Sequence, residues 1–249
     1  MKTVLVTGGG GEIGSGVCRK FAENGYAVIA TYRSDRAKAE SLLAALPGSQ
    51  HRIFEAPTTD AAAVVDLQAF VAKHYGKLDV LVNNAGITTP VAHHDLDGLT
   101  DEWIDKIMQT NFRGSFAMVR AFKDLLRASA TANQVPALVV NISSIAATFG
   151  IGSNVAYCAS KAAVDSMTRS LARALAPDIR MVSVSPGWVL GEYTKEVDPA
   201  YLQMQKDLTP LAKLATASDV ADTVFALATY LTFTTGSIIP VDGGRTLGK

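Results

Sequence analysis

The chain begins with a short apolar run that leads directly into a glycine-rich turn. The run is Val4–Val6, the turn is Thr7–Gly14, and apolar residues then recur at helical spacing. Glycine lets a backbone turn tightly and approach a ligand closely, and the following helix presents free N–H groups and the positive end of its dipole. Gly9, Gly11 and Gly14 match G-x-G-x-x-G in the strand–turn–helix context that the pattern requires. We therefore predict that this turn binds the pyrophosphate of a dinucleotide; the alternative is a plain glycine-rich turn.

Apolar strand-like segments alternate with amphipathic segments along the whole chain. The strand-like segments are apolar throughout, which is typical of a parallel sheet covered on both faces. The sequence therefore predicts an α/β fold: one Rossmann-type, doubly wound domain over residues 1–249, with a seven-stranded, mostly parallel sheet and helices on both faces. The predicted strands are 4–6, 26–31, 52–55, 80–83, 137–142, 180–184 and 237–241. The predicted helices are 13–22, 35–46, 61–75, 101–128, 155–176 and 218–230, and the longest stretch without either, 186–210, is a candidate substrate lid.

The composition excludes several functional classes. Lysine plus arginine number 23, as do aspartate plus glutamate, so the formal net charge is zero and we expect no nucleic-acid partner. No apolar run approaches the ~18 residues of a membrane span, and the immediate entry into a strand leaves no room for a signal peptide. The two cysteines, Cys18 and Cys158, fit a reducing compartment. We therefore expect a cytoplasmic protein without a membrane partner.

The end of the second predicted strand indicates which dinucleotide binds. An NAD site usually carries an acidic residue here, which bonds the ribose 2′-hydroxyl. This chain has Tyr32, Arg33 and Ser34 at that point, and its first acid is Asp35. Arg33 can form a bidentate pair with a 2′-phosphate, assisted by the Ser34 hydroxyl. The pattern favours NADP over NAD, and the alternative is that Arg33 is a solvated loop residue.

A tyrosine and a lysine stand four residues apart in a predicted helix and therefore share one face. Tyr157 is the candidate acid/base, and the ammonium of Lys161 is expected to lower its pKa by favouring the phenolate. Ser144 follows the fifth predicted strand, where its hydroxyl can bond a substrate oxygen. Asn111 lies inside a long predicted helix, in which asparagine is unfavourable. Its alternative interpretation is an exposed polar position.

Together these motifs resemble the short-chain dehydrogenase/reductase family, in its common form of roughly 250 residues, over essentially the whole chain. Among common relatives, the 3-oxoacyl-acyl-carrier-protein reductases are the most similar in general pattern. The matching motifs are Thr7–Gly14, Asn83–Gly86, Asn111, Ser144, Tyr157 with Lys161, Pro186 with Gly187, and Val241–Gly244.

The resemblance implies a catalytic tetrad in an NADP-dependent oxidoreductase. Tyr157 would be the acid/base, Ser144 would orient the carbonyl, Lys161 would bind the ribose and tune Tyr157, and Asn111 would hold a proton-relay water. The implied cofactor-binding residues are Gly8, Gly9, Gly11, Ile13, Gly14, Tyr32, Arg33, Ser34, Thr58, Asn84, Ala85, Gly86, Tyr157, Lys161, Pro186, Gly187 and Val189, the last through its backbone. Family members are commonly homotetramers, so we expect a homotetramer or a dimer.

Three positions depart from the family pattern. The middle glycine of the family's T-G-x-x-x-G-x-G turn is Glu12, whose carboxylate either approaches the pyrophosphate or points to solvent. The aspartate that contacts adenine is replaced by Pro57, so this contact is lost or passes to Thr58. The threonine of P-G-x-I-x-T is replaced by Gly191, which puts one cofactor amide contact in doubt.

The sequence indicates the type of reaction more clearly than it indicates the substrate. Candidate substrate contacts are Ile145, Phe149, Asn154, Trp188, Tyr193 and Tyr201, with core or subunit interface as the alternative for each. Carrier-protein docking is disfavoured, because the two arginines expected for it fall at Val135 and near Pro177-Asp178, although Lys123 and Arg127 lie close by. We predict reduction of a small-molecule ketone, with 3-oxoacyl-carrier-protein reduction and a non-catalytic NADP sensor as alternatives.

A metal site and a reactive thiol are two further possibilities, and the sequence favours neither. His93 and His94 share a loop with Asp95 and Asp97, but single-loop clusters of this kind are usually polar surface, and no metal is predicted. Cys158 lies near Lys161, but a small helix-packing role is favoured over a reactive thiol.

Overall fold

The computed structural model describes residues 1–248, apart from the side chain of Tyr193. Its sheet has seven strands in the order β3-β2-β1-β4-β5-β6-β7, and every neighbouring pair is parallel. The predicted α/β fold is confirmed, and the sheet is wholly rather than mostly parallel. The strands are β1 (Thr3–Val6), β2 (Ala27–Tyr32), β3 (Arg52–Glu55), β4 (Val80–Asn83), β5 (Ala137–Ile142), β6 (Ile179–Pro186) and β7 (Ile238–Val241).

Helices connect the strands on both sides of the sheet. They are α1 (Glu12–Glu23), α2 (Arg36–Ala45), α3 (Ala61–Tyr75), α4 (Asp101–Met108), a π-helical segment (Gln109–Gly114), α5 (Ser115–Asn133), α6 (Ala146–Phe149), α7 (Val155–Leu175), a 3₁₀ turn (Glu192–Glu196), α8 (Pro199–Asp207), α9 (Ala217–Thr229) and a final 3₁₀ turn (Arg245–Leu247). None of the described helices is long and apolar enough to cross a bilayer.

Two apolar cores, one on each face of the sheet, explain why the strands carry so few polar residues. On one face Val4 and Val6 of β1 pack with Phe21 of α1. On the other face Leu5 packs with Phe122 of α5. Successive side chains of a strand point to opposite faces, so a strand covered on both sides buries every residue. All four residues of β1 are buried.

The strand order places a crevice between β1 and β4. The chain runs outward from β1 through β2 to β3, and then returns to the other side of β1 with β4. In such sheets a ligand binds beyond the carboxyl ends of the strands at this switch point, because the loops there diverge. The loops after β1, β2 and β4 are therefore expected to form the binding site.

Two predicted segments differ from the structure. The long helix predicted for residues 101–128 is interrupted by the π-helical segment and continues to Asn133. Residues 186–210, predicted to lack regular structure, contain the 3₁₀ turn Glu192–Glu196 and α8. The start of α8 has a local cause: the Asp198 carboxylate accepts the N–H of Ala200 at 2.9 Å, and Pro199 occupies a first-turn position that needs no donor.

Candidate active site

A cleft of about 870 Å³ opens at the switch point of the sheet. We call it the main cleft. Its volume lies within the range of natural small-molecule sites. The main cleft is lined by the turn after β1, by residues 31–35 after β2, by 56–59 after β3, by 84–87 after β4, by Lys106, Gln109 and Thr110, and by Val189, Gly191 and Glu192.

The glycine turn is packed too tightly for side chains at two of its positions. A Cβ atom at Gly14 would lie 2.8 Å from Nδ2 of Asn84 and 3.0 Å from Cα of Gly9, and one at Gly9 would lie 3.3 Å from Cα of Ala30. Gly8 has a φ of +63°, which favours glycine. Gly9 and Gly14 thus shape the turn, whereas Gly8, Gly10, Gly11 and Ile13 line the main cleft. A cradle that admits backbone so closely fits a pyrophosphate.

Thr7 connects the glycine turn to the end of β4. Its Oγ1 accepts the backbone N–H groups of Asn84 and Ala85, each at 2.9 Å. Nδ2 of Asn84 donates in return to the carbonyl oxygens of Thr7 and Gly8, at 2.9 and 3.1 Å. These bonds fix two strand ends against each other, so the residues predicted to approach the ribose are held in place. The sequence analysis missed this role of Thr7, although its position directly after a strand is a recognisable signal.

The segment after β2 presents two cations and one carboxylate, that of Asp35, to the main cleft. Tyr32 is half-buried, Arg33 and Ser34 are exposed, and all three line the cleft. Asp35 caps α2 by accepting the N–H of Lys38 at 2.9 Å, so its carboxylate has a structural partner. Lys38 also lines the cleft, which makes it a second cation beside Arg33 that the sequence analysis missed.

The loop after β3 places Thr58 next to Pro57, the position at which the family has an aspartate that contacts adenine. Thr58 is buried, lines the main cleft, and packs against Gly114, where a Cβ atom would lie 3.0 Å from that of Thr58. Asp60, two residues later, caps α3 by accepting the N–H groups of Ala62 and Ala63. The Asp60 carboxylate is therefore used by the helix, and Thr58 and Thr59 are the polar side chains that line the cleft here.

Asn111 is buried rather than exposed, because it lies in the π-helical segment. Its Oδ1 accepts the N–H of Ile87 at 2.8 Å, and its Nδ2 donates to the carbonyl of Ile87 at 3.1 Å and to Oγ of Ser160 at 3.0 Å. A π-helix inserts an extra residue into the turn and re-aims side chains, often at functional sites. Asn111 therefore joins the loop after β4 to α7, through Ile87 and Ser160, whose roles the sequence analysis did not foresee.

Tyr157 and Lys161 lie on the same face of α7, as predicted. Nζ of Lys161 donates to the carbonyl of Ile142 at 2.7 Å and lies 5.7 Å from the centroid of the Tyr157 ring. Ser144, which follows β5, lies close enough to Tyr157 for its side chain to favour the phenolate and lower the pKa of Tyr157. A Cβ atom at Gly86 would lie 3.3 Å from Oδ1 of Asn111 and 3.6 Å from Nζ of Lys161. Gly86 lines the main cleft, so the four predicted catalytic residues gather beside one end of it.

The protonation of this group differs from the prediction. Burial raises the pKa of Tyr157, and this outweighs the effect of Ser144, which lowers it. Burial also lowers the pKa of Lys161 to about 8, although the carboxylate of Asp165 opposes this shift. The expectation that the pKa of Tyr157 lies below its ordinary value is therefore wrong, because loss of solvent disfavours the charged form and outweighs the interactions that favour the phenolate. At neutral pH the phenol is protonated and most of the Lys161 side chains carry a charge.

The segment after β6 contributes the remaining predicted contacts. Pro186 ends β6, and the N–H of Gly187 donates to the carbonyl of Val241 at 3.1 Å. Val189 pairs with Ala215 in an isolated bridge and lines the main cleft. The predicted contacts Pro186 and Gly187 are not among the residues that line the main cleft.

Four of the predicted substrate contacts are at least partly exposed to solvent, and for these the prediction stays a prediction. The half-buried Trp188 packs against the ring of Tyr201 on α8 at 5.6 Å between centroids, Phe149 is half exposed, and Ile145 is half-buried beside Ser144. The side chain of Tyr193 lies outside the described residues. Asn154 is corrected: it is fully buried and caps α7, so it does not face a substrate.

Replacement of Asn154 by alanine is expected to lower the free energy of unfolding by about 2–4 kcal/mol, from a lost helix cap and lost buried hydrogen bonds. Its Oδ1 accepts the N–H of Tyr157 at 2.7 Å, and its Nδ2 donates to the carbonyl of Thr89 at 2.7 Å. Asn154→Asp keeps the cap acceptor and should lose less. Urea unfolding measures both variants, and a loss below about 0.5 kcal/mol in Asn154→Ala would contradict this role.

Glu12 adopts neither of its two predicted orientations. Although the residue is exposed, its Oε2 accepts the N–H of Glu192 at 3.4 Å, and its side chain lies against Gly191. The carboxylate is thus directed across the main cleft to the segment after β6. The two departures at positions 12 and 191 are neighbours in space.

The remaining candidates have ordinary structural partners. A ring nitrogen of His93 lies 3.0 Å from the carbonyl oxygen of Gly152, and Asp95 accepts the N–H of Gly98 at 2.9 Å. Burial raises the pKa of the Cys158 thiol, which makes it less reactive. Within residues 1–248, no group of three or more His, Cys, Asp or Glu side chains is arranged to hold a metal ion.

Comparisons with known proteins show which family this chain resembles. A family model described as enoyl-(acyl carrier protein) reductase matches residues 10–246. A protein assigned as ketoacyl reductase 2 of the granaticin polyketide synthase, from Streptomyces violaceoruber, is 34% identical over 98% of this chain and 95% of its own. The 3-oxoacyl-[acyl-carrier-protein] reductase FabG of Staphylococcus aureus is 32% identical over 98% of this chain and 97% of its own. The structure of a Burkholderia xenovorans protein, assigned as a short-chain dehydrogenase/reductase, matches with a TM-score of 0.93 and 32% identity, over 100% and 99% of the two chains.

Proposed function

The chain belongs to the short-chain dehydrogenase/reductase family, and we propose that it is an NADP-dependent enzyme that reduces a small-molecule ketone to a secondary alcohol, with Tyr157 as the acid. The observation that carries this proposal is the cluster beside Gly86. There a protonated phenol lies beside Ser144 and is followed by Lys161 one helical turn later, next to a cleft that fits a dinucleotide.

The cleft residues fit a nicotinamide dinucleotide through the tight glycine turn and the cations after β2. When bound, such a cofactor in its reduced form supplies a hydride. Ser144 would donate a hydrogen bond to the carbonyl oxygen of the substrate and hold it near Tyr157. The Tyr157 hydroxyl would then transfer its proton to that oxygen as negative charge develops on it. Lys161, held by the carbonyl of Ile142, would stabilise the resulting phenolate through its positive charge.

The protonation state of Tyr157 favours the reductive direction. A general acid must be protonated at the working pH, and burial raises the pKa of this phenol further above neutrality. The reverse reaction needs the phenolate, which burial disfavours. We therefore propose carbonyl reduction, rather than alcohol oxidation, as the main activity near pH 7.

The preference for NADP is proposed from the charges at the end of β2. Arg33 and Lys38 line the main cleft, whereas the carboxylate of Asp35 is occupied as a helix cap. A 2′-phosphate would therefore meet two cations and one carboxylate, which together carry a net positive charge. NADH, which has a hydroxyl at that position, would gain nothing from them.

Replacement of Arg33 by aspartate is expected to weaken NADPH binding by about 10- to 100-fold and to leave NADH binding unchanged or improved, since a charged bidentate pair contributes about 1.5–3 kcal/mol. Titration of both cofactors by protein fluorescence measures the change. Arg36→Asp on the neighbouring helix is a matched control, because Arg36 pairs with Glu40 on the surface. A wild-type preference for NADH would refute the assignment.

The alternative substrate is a 3-oxoacyl group on a carrier protein, as the names of several relatives indicate. The surface near the expected docking positions does not support it. Val135 is exposed and uncharged, and Asp178 lies 3.8 Å from Arg127. Lys123 and Arg127 each lie 3.3 Å from a carboxylate oxygen of Asp124. Two cations balanced by two carboxylates offer little attraction to an acidic partner.

The decisive experiment follows the loss of NADPH absorbance with a panel of small ketones, diketones, quinones, pterins, acetoacetyl esters and an acetoacetyl-carrier protein. The proposal expects a higher kcat/KM with a free ketone than with the carrier-bound substrate. A higher value with the carrier-bound substrate would select the alternative. No turnover of any compound, with NADPH still bound, would favour the non-catalytic sensor.

We further propose a cytoplasmic homotetramer. Both cysteines are free and buried, which suits a reducing compartment. Near the C-terminus the side chains of Tyr230, Leu231 and Phe233 are exposed, and exposed apolar groups that cluster often mark subunit contacts. Sedimentation of the purified protein would test the assembly.

A further inference from the structure

Glu12 and Gly191 are far apart in the sequence and meet beside the main cleft. Glu12 begins α1 directly after the glycine turn, and Gly191 precedes the 3₁₀ turn Glu192–Glu196. The backbone N–H of Glu192 donates to Oε2 of Glu12 at 3.4 Å. All three residues line the main cleft, so the contact connects its glycine turn to the segment after β6.

The absence of a side chain at Gly191 makes room for the Glu12 side chain. A Cβ atom at position 191 would lie 2.7 Å from Cδ and 2.8 Å from Oε2 of Glu12. The φ of Gly191 is 174°, an extended conformation that any residue adopts. Space, and not backbone conformation, therefore couples the two positions: a Cβ atom at 191 would require the Glu12 side chain to move.

The segment is anchored on one side of Gly191 and held by fewer contacts on the other. The N–H of Leu190 donates to the carbonyl of Ala215 at 2.8 Å, next to the bridge between Val189 and Ala215. Within the turn, the N–H of Thr194 donates to the carbonyl of Gly191 at 3.0 Å, so the turn is a compact unit. In the described part of the chain, one hydrogen bond joins this unit to α1, and breaking it would let the unit pivot at Gly191.

The turn also carries a lysine, Lys195, whose positive charge attracts the Glu12 carboxylate. Nζ of Lys195, on the turn, lies 2.5 Å from Oε1 of Glu192. The pKa of Lys195 is raised chiefly by Glu192, and the carboxylate of Glu12 adds to the effect. Lys195 thus attracts Glu12 to the turn, whereas the Glu192 carboxylate, with which Lys195 pairs, opposes this attraction. The hydrogen bond to the N–H of Glu192 is therefore the contact that holds Glu12 there.

We propose that Glu12 is a positioning residue that latches the turn Glu192–Glu196 over the edge of the main cleft and slows the release of a bound dinucleotide. The part about release rests on the proposed function, since it requires the cleft to bind that cofactor. The latch itself consists of this chain's own atoms. Glycine at 191 belongs to the same arrangement, because it leaves space for the Glu12 side chain.

Amide hydrogen exchange of the ligand-free protein tests the latch independently of catalysis. Glu12→Ala is expected to raise the exchange rates of residues 192–197 by about threefold to tenfold, the range that corresponds to about 0.6–1.4 kcal/mol for one hydrogen bond. Glu12→Gln keeps an acceptor oxygen and should stay within about twofold of the wild type. Wild-type rates in Glu12→Ala, or equal rates in the alanine and glutamine variants, would overturn the proposal.

The space-sharing between the two positions is tested by a double-mutant cycle. Gly191→Ala should raise exchange as much as Glu12→Ala does, because the added Cβ displaces the Glu12 side chain. In the Glu12→Ala background the same change should add little. If Gly191→Ala has an equal effect in both backgrounds, the two residues are not coupled and the proposal fails.

The effect on the cofactor is measured by stopped-flow fluorescence of NADPH release. Glu12→Ala should speed dissociation by about threefold to tenfold and Glu12→Gln by less than twofold. An unchanged dissociation rate in Glu12→Ala, with faster exchange of the turn, would overturn the claim about release. If the Glu12 variants change amide exchange as expected but the enzyme reduces no ketone, the proposed function is wrong and the contact between Glu12 and the turn is still supported.

Discussion

Tyr157→Phe is expected to lower kcat for ketone reduction by at least about 10³-fold and to leave the affinity for NADPH within about threefold of the wild type. General acid catalysis contributes roughly 10²–10⁴-fold, and the substitution removes the only atom of the side chain that carries a proton for transfer. The hydroxyl also interacts with Ser144, so the loss includes the orientation of that serine. The ring keeps its packing, and cofactor contacts that depend on Lys161 are retained.

The measurement is single-turnover reduction under saturating NADPH, so that chemistry and not product release is observed. Ser144→Ala is a useful partner, because it removes the hydroxyl that orients the carbonyl and keeps the acid. It should cost less than Tyr157→Phe, and the double variant should lose little more than Tyr157→Phe alone, since the two groups act as a unit. Activity of Tyr157→Phe above about one tenth of the wild type would remove this tyrosine from the mechanism.

The strands were the easiest part of the fold to predict. The predicted bounds of β4 and β5 agree with the structure, because strands buried on both faces stand out as apolar runs between polar loops. The bounds of β3 also agree, although its two ends are exposed. The break in the helix at Gln109–Gly114 was not predicted, because its cause is the buried hydrogen bonding of Asn111 with Ile87 and Ser160, which lie elsewhere in the sequence.

The candidate site was predictable as a set of residues but not as a set of contacts. The Tyr157–Lys161 spacing placed both side chains on one face of α7, which follows from helix geometry. Whether charge or burial controls their pKa values depends on how many atoms surround them, and spacing carries no such information. Likewise Asn154 was a candidate substrate contact, whereas in the structure it caps α7. Glu12 and Gly191 looked like separate departures because only the fold brings them together.

Lys161→Met is expected to lower kcat for reduction by about 10- to 150-fold and to abolish a pH transition that the wild type shows near pH 8. Loss of a charge-assisted interaction of about 1.5–3 kcal/mol with the developing phenolate accounts for the first effect. The second follows from burial, which lowers the pKa of Lys161 to about 8. Below that pH the ammonium is charged and stabilises the phenolate, and above it the neutral amine does not.

The sign of this transition distinguishes Lys161 from Tyr157. Reduction needs the protonated phenol, whose pKa burial raises above its ordinary value, so Tyr157 holds its proton throughout the range in which Lys161 titrates. The wild-type rate of reduction should therefore be level through neutrality and fall as the pH rises through about 8. In Lys161→Met the rate should be lower and level across the same range, until the phenol itself ionises.

Profiles of kcat against pH between about 6 and 10, with NADPH saturating at each pH, measure both effects. Asp165 provides the matched control, because its carboxylate opposes the lowering of the Lys161 pKa. Asp165→Asn should move the descending limb to lower pH without removing it, whereas Lys161→Met should remove it. A descending limb near pH 8 that persists in Lys161→Met would assign the transition to another group, and the charge of Lys161 would then have no part in the proton transfer.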